Sequence, residues 1–248
     1  MRQCAKQAEA TGHAVRLVYL AAAMVDVAME TGDTSLLEAA VKILESAYER
    51  KVYVTGGLGA RYEGESFGAD FELPNARAYA ETCAAVAGVM WSARLLAATG
   101  SARYADWLET TLYNGALVGI SLDGTKYFYT NPLAADSTPD PGDNRCTHSS
   151  GLQQTPTGHA RQSWCRCACC PPNIARLITS MTGYAYGQSD RAVWIHQYLD
   201  GQVTIPLPDS TSISLMVTTR YPWEGDIDVV VASGPHHELE LRLRTLDG

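Results

Sequence analysis

The feature that most constrains this chain is a change of hydrophobic period near Gly187. Before it, apolar residues recur at three- and four-residue steps, as amphipathic helices require; after it they alternate in short runs, as half-buried strands do. Val15, Val18, Tyr19, Ala22, Val25 and Met29 mark a first helix from His13 to Thr31, closed by Gly32. Asp33 and Thr34 can cap a second, which runs through Leu37, Ala40, Val41, Leu44 and Tyr48 to about Arg50. Two more are expected over Ala84 to Ala98 and Ala102 to Gly119, and Pro171-Pro172-Asn173 opens the last, since proline is tolerated in a first helical turn. Beyond Gly187, the runs Ala192–His196, Gln202–Pro206, Ser212–Thr219, Asp228–Val231 and Glu238–Leu243 read as strands. The expected fold is mainly α with a C-terminal β part: paired helices over residues 1–187, as in part of an α/α toroid, then the start of a β-sandwich over 188–248.

With 46% hydrophobic and 19% charged residues, the chain can bury a sizeable core. A net charge of -8 argues against nucleic acid, which demands clustered Lys and Arg; a neutral small molecule suits the balance better. No apolar run approaches the roughly 20 residues of a bilayer-spanning helix, and Met1-Arg2-Gln3-Cys4 leads into polar Gln7 and Glu9 rather than a signal-peptide core. No membrane partner and a cytoplasmic location are the expectations.

Two long loops interrupt the helices. The first, from Thr55 to Asn75, is rich in glycine and carries Glu63, Glu65, Asp70 and Glu72. Loops of this length inside domains are usually functional or disordered. Glu65, between Gly64 and the Ser66-Phe67-Gly68 run, has the access a general acid needs, but a solvated loop carboxylate is the ordinary alternative. The other three acids compete for the role, and sequence does not rank them. Thr55-Gly56-Gly57-Leu58-Gly59 resembles a phosphate loop only superficially, because no Gly-Lys-Ser/Thr ending follows.

The second loop runs from Ser121 to Cys170, with a short strand expected at Lys126 to Thr130. Tyr127, Phe128 and Tyr129 could wall a sugar site, although aromatics in a strand are more often core. His13 could meet a sugar hydroxyl, although a capping or packing histidine is more common.

The seven cysteines are odd in number, and Cys165, Cys167, Cys169 and Cys170 crowd too closely for a disulfide framework. Metal binding or a reactive thiol is the better reading. Cys169 precedes a helix start, whose unpaired N–H groups and dipole stabilise a thiolate. Because Pro171 disfavours a helical Cys170, a turn is expected to aim both sulfurs at one ion. Buried, inert thiols are the alternative. Glu81 and Cys83 share a face only if residues 79–83 are not yet helical. Three thiolates and one carboxylate would suit zinc.

The blocks Gly12-His13-Ala14-Val15-Arg16, Tyr53-Val54-Thr55-Gly56-Gly57, Gly64-Glu65-Ser66-Phe67-Gly68, Leu73-Pro74-Asn75, Tyr79-Ala80-Glu81-Thr82-Cys83, Tyr113-Asn114-Gly115, Asn131-Pro132-Leu133 and Cys167-Ala168-Cys169-Cys170-Pro171-Pro172-Asn173 together resemble glycoside hydrolase family 127. They keep the family's order across nearly the whole chain. The resemblance implies retaining hydrolysis of terminal β-L-arabinofuranosides on an (α/α)6 barrel followed by β-sandwich domains. It also implies Cys169 as nucleophile, Glu65 as acid/base, Glu81, Cys83, Cys169 and Cys170 as zinc ligands, and His13 and Tyr129 as sugar contacts. Cys165 departs from the pattern, standing where an aromatic is expected, and Cys167 gains no role.

The helix count is about half of what that barrel needs, so the chain is expected to be a fragment with uncovered apolar helix faces, prone to aggregate or self-associate. Two rival readings remain open. One is a glycosidase for another furanoside; the other is a non-catalytic scaffold that holds zinc.

Overall fold

The computed structural model describes residues 6–134, 161–164 and 167–245, in two compact units, Met1–Ile178 and Thr179–Gly248. Cys165 lies outside the described residues.

The first unit is built on two antiparallel helix pairs, α1 (Ala14–Thr31) with α2 (Thr34–Arg50) and α3 (Thr82–Thr99) with α4 (Ala102–Thr111). Asp33 caps α2 as its sequence suggests, its Oδ1 accepting from the Ser35 backbone N–H at 3.1 Å. The buried face of α1 is broader than the sequence stripe. It runs through Ala14, Leu17, Val18, Ala21, Ala22, Met24, Val25 and Ala28, while Met29 is exposed. The alanines carry it because α1 packs on both α2 and α3, and small residues let two neighbours approach.

Helix α3 is the centre of this unit. Fourteen of its eighteen residues are buried, so it shows no amphipathic stripe. It is long and apolar enough to cross a membrane, which a search for uninterrupted apolar runs overlooks, yet here its faces are covered by protein. It starts at Thr82, two residues before the expected start.

The expected single helix to Gly119 is not continuous. After Thr111 the chain widens into a π-turn, Leu112–Ala116, then tightens into a 3₁₀ turn, Leu117–Gly119. Close backbone approach explains the change: a Cβ on Gly115 would lie 3.1 Å from the Thr55 carbonyl oxygen, and one on Gly119 would lie 2.5 Å from Thr82. The expected strand at Lys126 to Thr130 is reduced to isolated bridges, Tyr127 with Ile120 and Gln162, and Thr130 with Glu81. Helix α5 (Cys170–Ser180) completes the unit's helices, and the four-residue α6 (Thr182–Ala185) follows in the second unit.

The glycines of the discarded phosphate-loop stretch serve packing. Gly56 has φ of +78°, and a Cβ there would lie 2.6 Å from the Thr111 Cα. Gly56→Ala combines an unfavourable backbone conformation with a clash against main chain. It is therefore expected to destabilise the chain by about 3 kcal/mol in denaturant unfolding. A change within about 0.5 kcal/mol would show that this contact is not tight.

The second unit holds two three-stranded sheets. One has the order β1-β2-β6 (Tyr186–Gln188, Ala192–Ile195, Glu240–Leu243), with β2 and β6 parallel; the other is the antiparallel meander β3-β4-β5 (Gly201–Pro206, Ser212–Thr219, Ile227–Ser233). Alternation in β4 buries Ile213, Leu215 and Val217. Val193 and Ile195 of the first sheet share one apolar cluster with Ile205, Ile213 and Leu215 of the second, so the two sheets bury their inner faces together. Strand β1 and the parallel β2–β6 pairing were not legible in sequence, the first because it has three residues, the second because its partners are far apart in the chain.

Candidate metal centre and active site

Two helix N-termini meet at the site. Ala80, at φ of +38°, turns the chain into Glu81, which stays extended (φ -60°, ψ 134°) and bridges to Thr130. Asn131 fastens this entry, its Nδ2 donating to the Ala80 carbonyl at 2.9 Å and to Thr82 Oγ1 at 3.0 Å. Helix α3 then starts, so Cys83 is already its second residue. The expectation of a wholly non-helical 79–83 is corrected, but the condition behind it holds. Because Glu81 lies outside the helix, its carboxylate and the Cys83 sulfur are not splayed apart.

At the other terminus, α5 includes Cys170, contrary to the expectation that Pro171 would keep it extended. The first turn of a helix asks for no N–H from Pro171 or Pro172, and its first bond runs from the Asn173 N–H to the Cys169 carbonyl at 3.3 Å. A turn closed by the Cys169 N–H on the Cys167 carbonyl, at 2.9 Å, brings Cys169 beside Cys170.

One ligand atom from each of Glu81, Cys83, Cys169 and Cys170 lies within 4.8 Å of the other three. Cys83 Sγ is 3.4 Å from Cys170 Sγ, Cys169 Sγ is 3.7 Å from Cys170 Sγ, and Cys169 Sγ is 3.4 Å from Glu81 Oε1. Cys83, Cys170 and Glu81 are buried, and the second oxygen of Glu81 has no hydrogen-bond partner. Burial, followed by the charges of Cys169 and Glu65, pushes the Glu81 carboxyl up to about 8. Hydrogen bonds from Cys170 and Cys83, assisted by Tyr129, hold the Cys169 thiol well below the ordinary thiol range, while their bonds to Cys169 raise Cys83 and Cys170. Four acidic groups gathered out of water form a cage that a cation would neutralise.

The loop carboxylates, unranked in sequence, separate clearly here. Glu72 is gripped by the Arg61 guanidinium, which lowers its carboxyl to about 2. Asp70 pairs with Arg50 at 3.0 Å and Lys51 at 3.4 Å, and Glu63 faces Arg77 at 3.7 Å. Glu65 instead meets His13, Oε2 to Nε2 at 3.1 Å, and its charge is felt by both Glu81 and Cys167. Backbone pairing sets this up: His13 bridges Ser66, and the Phe67 N–H donates to the Gly12 carbonyl. Glu65 also holds a left-handed φ of +51°. Such strain in a non-glycine residue persists only where its surroundings enforce it. His13 occupies the α1 cap position without capping it through its side chain.

Tyr129 is buried and hydrogen-bonded to Cys169, in one cluster with Tyr79, Cys83 and Cys170 and with Tyr62 against it. Tyr127 and Phe128 lie elsewhere; Tyr127 donates to the Gly124 carbonyl, and Phe128 lies under Arg161. Cys167 is exposed and interacts with Tyr129 and Cys169. Sequence reading passed over Tyr79, Tyr62, Asn131 and Asn173. Tyr79 and Asn173 stand in the same short blocks as Glu81 and the cysteines, and Asn131 opens a block of its own, whereas Tyr62 carried no signal.

The paired-helix unit and the β unit that follows it in sequence match known carbohydrate-cleaving proteins. Residues 2–183 match the profile of the beta-L-arabinofuranosidase GH127 catalytic domain, and residues 192–247 that of the GH127 middle domain. The non-reducing end beta-L-arabinofuranosidase of Bifidobacterium longum subsp. longum is 38% identical over 228 residues, which is 91% of this chain and 33% of that protein. A solved GH127 beta-arabinofuranosidase superposes with a TM-score of 0.85 at 40% identity, covering 97% of this chain and 34% of its own. A GH127 beta-L-arabinofuranosidase from Geobacillus stearothermophilus T6 does so with a TM-score of 0.78, also at 40% identity, covering 92% and 34%. The chain belongs to glycoside hydrolase family 127, the beta-L-arabinofuranosidase family. It spans about a third of the length of these relatives.

Proposed function

We propose that this site is that of a retaining glycosidase releasing terminal β-L-arabinofuranose, with Cys169 as nucleophile and zinc as the resident metal. The observation that carries the proposal is the Glu81–Cys83–Cys169–Cys170 cage. Zinc would be held by the three sulfurs and one Glu81 carboxylate oxygen, a donor set of the kind it accepts. The ligand atoms lie within 4.8 Å of one another, with separations of 3.4, 3.7 and 3.4 Å for Cys83–Cys170, Cys169–Cys170 and Cys169–Glu81, close enough to share one ion, and the donor set fits zinc's preference for sulfur with one harder ligand. Bound there, zinc would keep the thiolates deprotonated at neutral pH and fix the nucleophile in place.

The chain's own groups supply the rest. Cys169 Sγ forms a bond to the anomeric carbon as the glycosidic C–O bond breaks, and Glu65 gives its proton to the leaving oxygen. Glu65 then takes a proton from water, whose oxygen displaces sulfur and frees arabinose. This is the two-step retaining scheme with sulfur in place of the second carboxylate. His13 at 3.1 Å orients the Glu65 carboxyl and, with Tyr129, is proposed to face the sugar. A barrel of the (α/α)6 kind, completed by helices beyond those described, is the proposed setting for the helical unit.

Zinc content and arabinose release, measured on one preparation with an aryl β-L-arabinofuranoside, test the proposal. About one zinc per chain is expected, with release lost on chelator treatment and restored by zinc. Release unchanged after stripping would refute the metal's role, and a panel of other aryl furanosides would expose a different sugar. Bound zinc with no release would favour the second reading, a zinc-holding scaffold, which the same four-residue cage could serve.

A further inference from the structure

We infer that Asn173 is a positioning residue of the metal centre, its side-chain amide locked so that the NH2 group can only face the sulfur of Cys83. The inference rests on the reading of the four-residue cage as a metal site. Asn173 Nδ2 donates to Cys83 Sγ at 2.9 Å. On the other side of the amide, Asn173 Oδ1 accepts from the Tyr19 hydroxyl at 3.1 Å and from Arg176 Nη2 at 2.7 Å. Arg176 also donates to the Tyr19 oxygen and lies over the Tyr19 ring, 5.3 Å from its centroid.

The orientation of an asparagine amide follows from its partners, and here they leave no choice. A guanidinium has donors only, so the amide edge facing Arg176 must be oxygen and the edge facing Cys83 must be NH2. Asn173 and Arg176 are three residues apart on one face of α5, so the helix presents amide and lock together. Tyr19 comes from α1 and Cys83 from α3, which makes Asn173 the meeting point of three helices.

An N–H aimed at a metal-bound sulfur disperses its charge and fixes its direction, and such outer partners typically govern about 10- to 100-fold of metal affinity. The Asn173 side chain donates to the Cys83 sulfur, whereas its link to Cys169 runs from its main-chain N–H to the Cys169 carbonyl, so the effect of the amide falls on Cys83.

Zinc affinity measured by competition with a chromophoric chelator tests this on the full chain. Asn173→Ala is expected to weaken zinc about 10- to 100-fold in protein that is still folded, beyond the modest fall in melting that loss of its bonds to Tyr19 and Arg176 brings. In a Cys83→Ala background the same substitution should cost nothing further, because its target sulfur is gone. Arg176→Met, which leaves all cage residues in place, should weaken zinc by a smaller factor through the freed amide, and it carries the test if Asn173→Ala fails to fold. Unchanged affinity in these variants, or an equal loss with and without Cys83, would overturn the inference while the metal site stood. Wild-type protein that binds no zinc, or binds it equally after Cys83→Ala and Glu81→Ala, would overturn both.

Discussion

Cys169→Ser is expected to lower arabinose release at least about 10³-fold, even at saturating zinc, whereas Cys170→Ser recovers much of its activity once zinc is supplied in excess. The two sulfurs are 3.7 Å apart and adjacent in sequence, but they are not equivalent. Cys170 is buried in the first turn of α5, out of a sugar's reach. Cys169 is partly open, and the groups around it hold its thiol below the ordinary range, so it is the cage sulfur that a sugar carbon can meet as a thiolate. Serine at 169 is a poorer ligand and a far weaker nucleophile, so extra zinc repairs one defect and not the other. Near-wild-type turnover of Cys169→Ser, measured with zinc in excess, would remove Cys169 from the chemistry.

Glu65→Gln is expected to cost about 10²- to 10⁴-fold with a sugar or alkyl leaving group, and much less in the first step with an activated aryl group. An amide cannot protonate the departing oxygen, and a stable phenolate needs little protonation. The same variant should still lose the second step, because glutamine cannot take a proton from water. With an activated substrate, a burst of one equivalent of phenol followed by slow turnover is therefore expected. Stopped-flow absorbance reads both phases. An equal loss across leaving groups, without a burst, would leave Glu65 a supporting role beside His13. Glu72→Gln provides the contrast. Its carboxyl is neutralised by Arg61 and cannot act as an acid at neutral pH, so only stability should change.

Much of this was visible in the sequence wherever the cause was local. The three-and-four-residue spacing located the helices, Asp33 marked a cap, and alternation located β2 to β6 to within two residues. What stayed hidden depended on distant partners. The four loop acids looked alike until Arg61, Arg50 and Arg77 took three of them and left Glu65 to His13, 52 residues earlier in the chain. The break of the helix after Thr111 reflects Thr55 and Thr82 pressing on Gly115 and Gly119, which no local propensity encodes. Cys170 joined its helix despite the following proline because a first turn asks for no proline N–H. Asn173 read as an ordinary helix-start residue until Arg176 and Tyr19 fixed which way its amide faces.

The nucleophile assignment meets its most direct test in a covalent trap. The zinc-loaded chain is incubated with an activated aryl β-L-arabinofuranoside, quenched in acid during turnover and digested, and the peptide containing Cys169 is read by tandem mass spectrometry. One pentosyl unit attached to the Cys169 sulfur is the predicted result. A pentosyl unit on a carboxylate such as Glu65, or steady release of arabinose with no modified peptide under conditions that trap a thioglycoside, would contradict it.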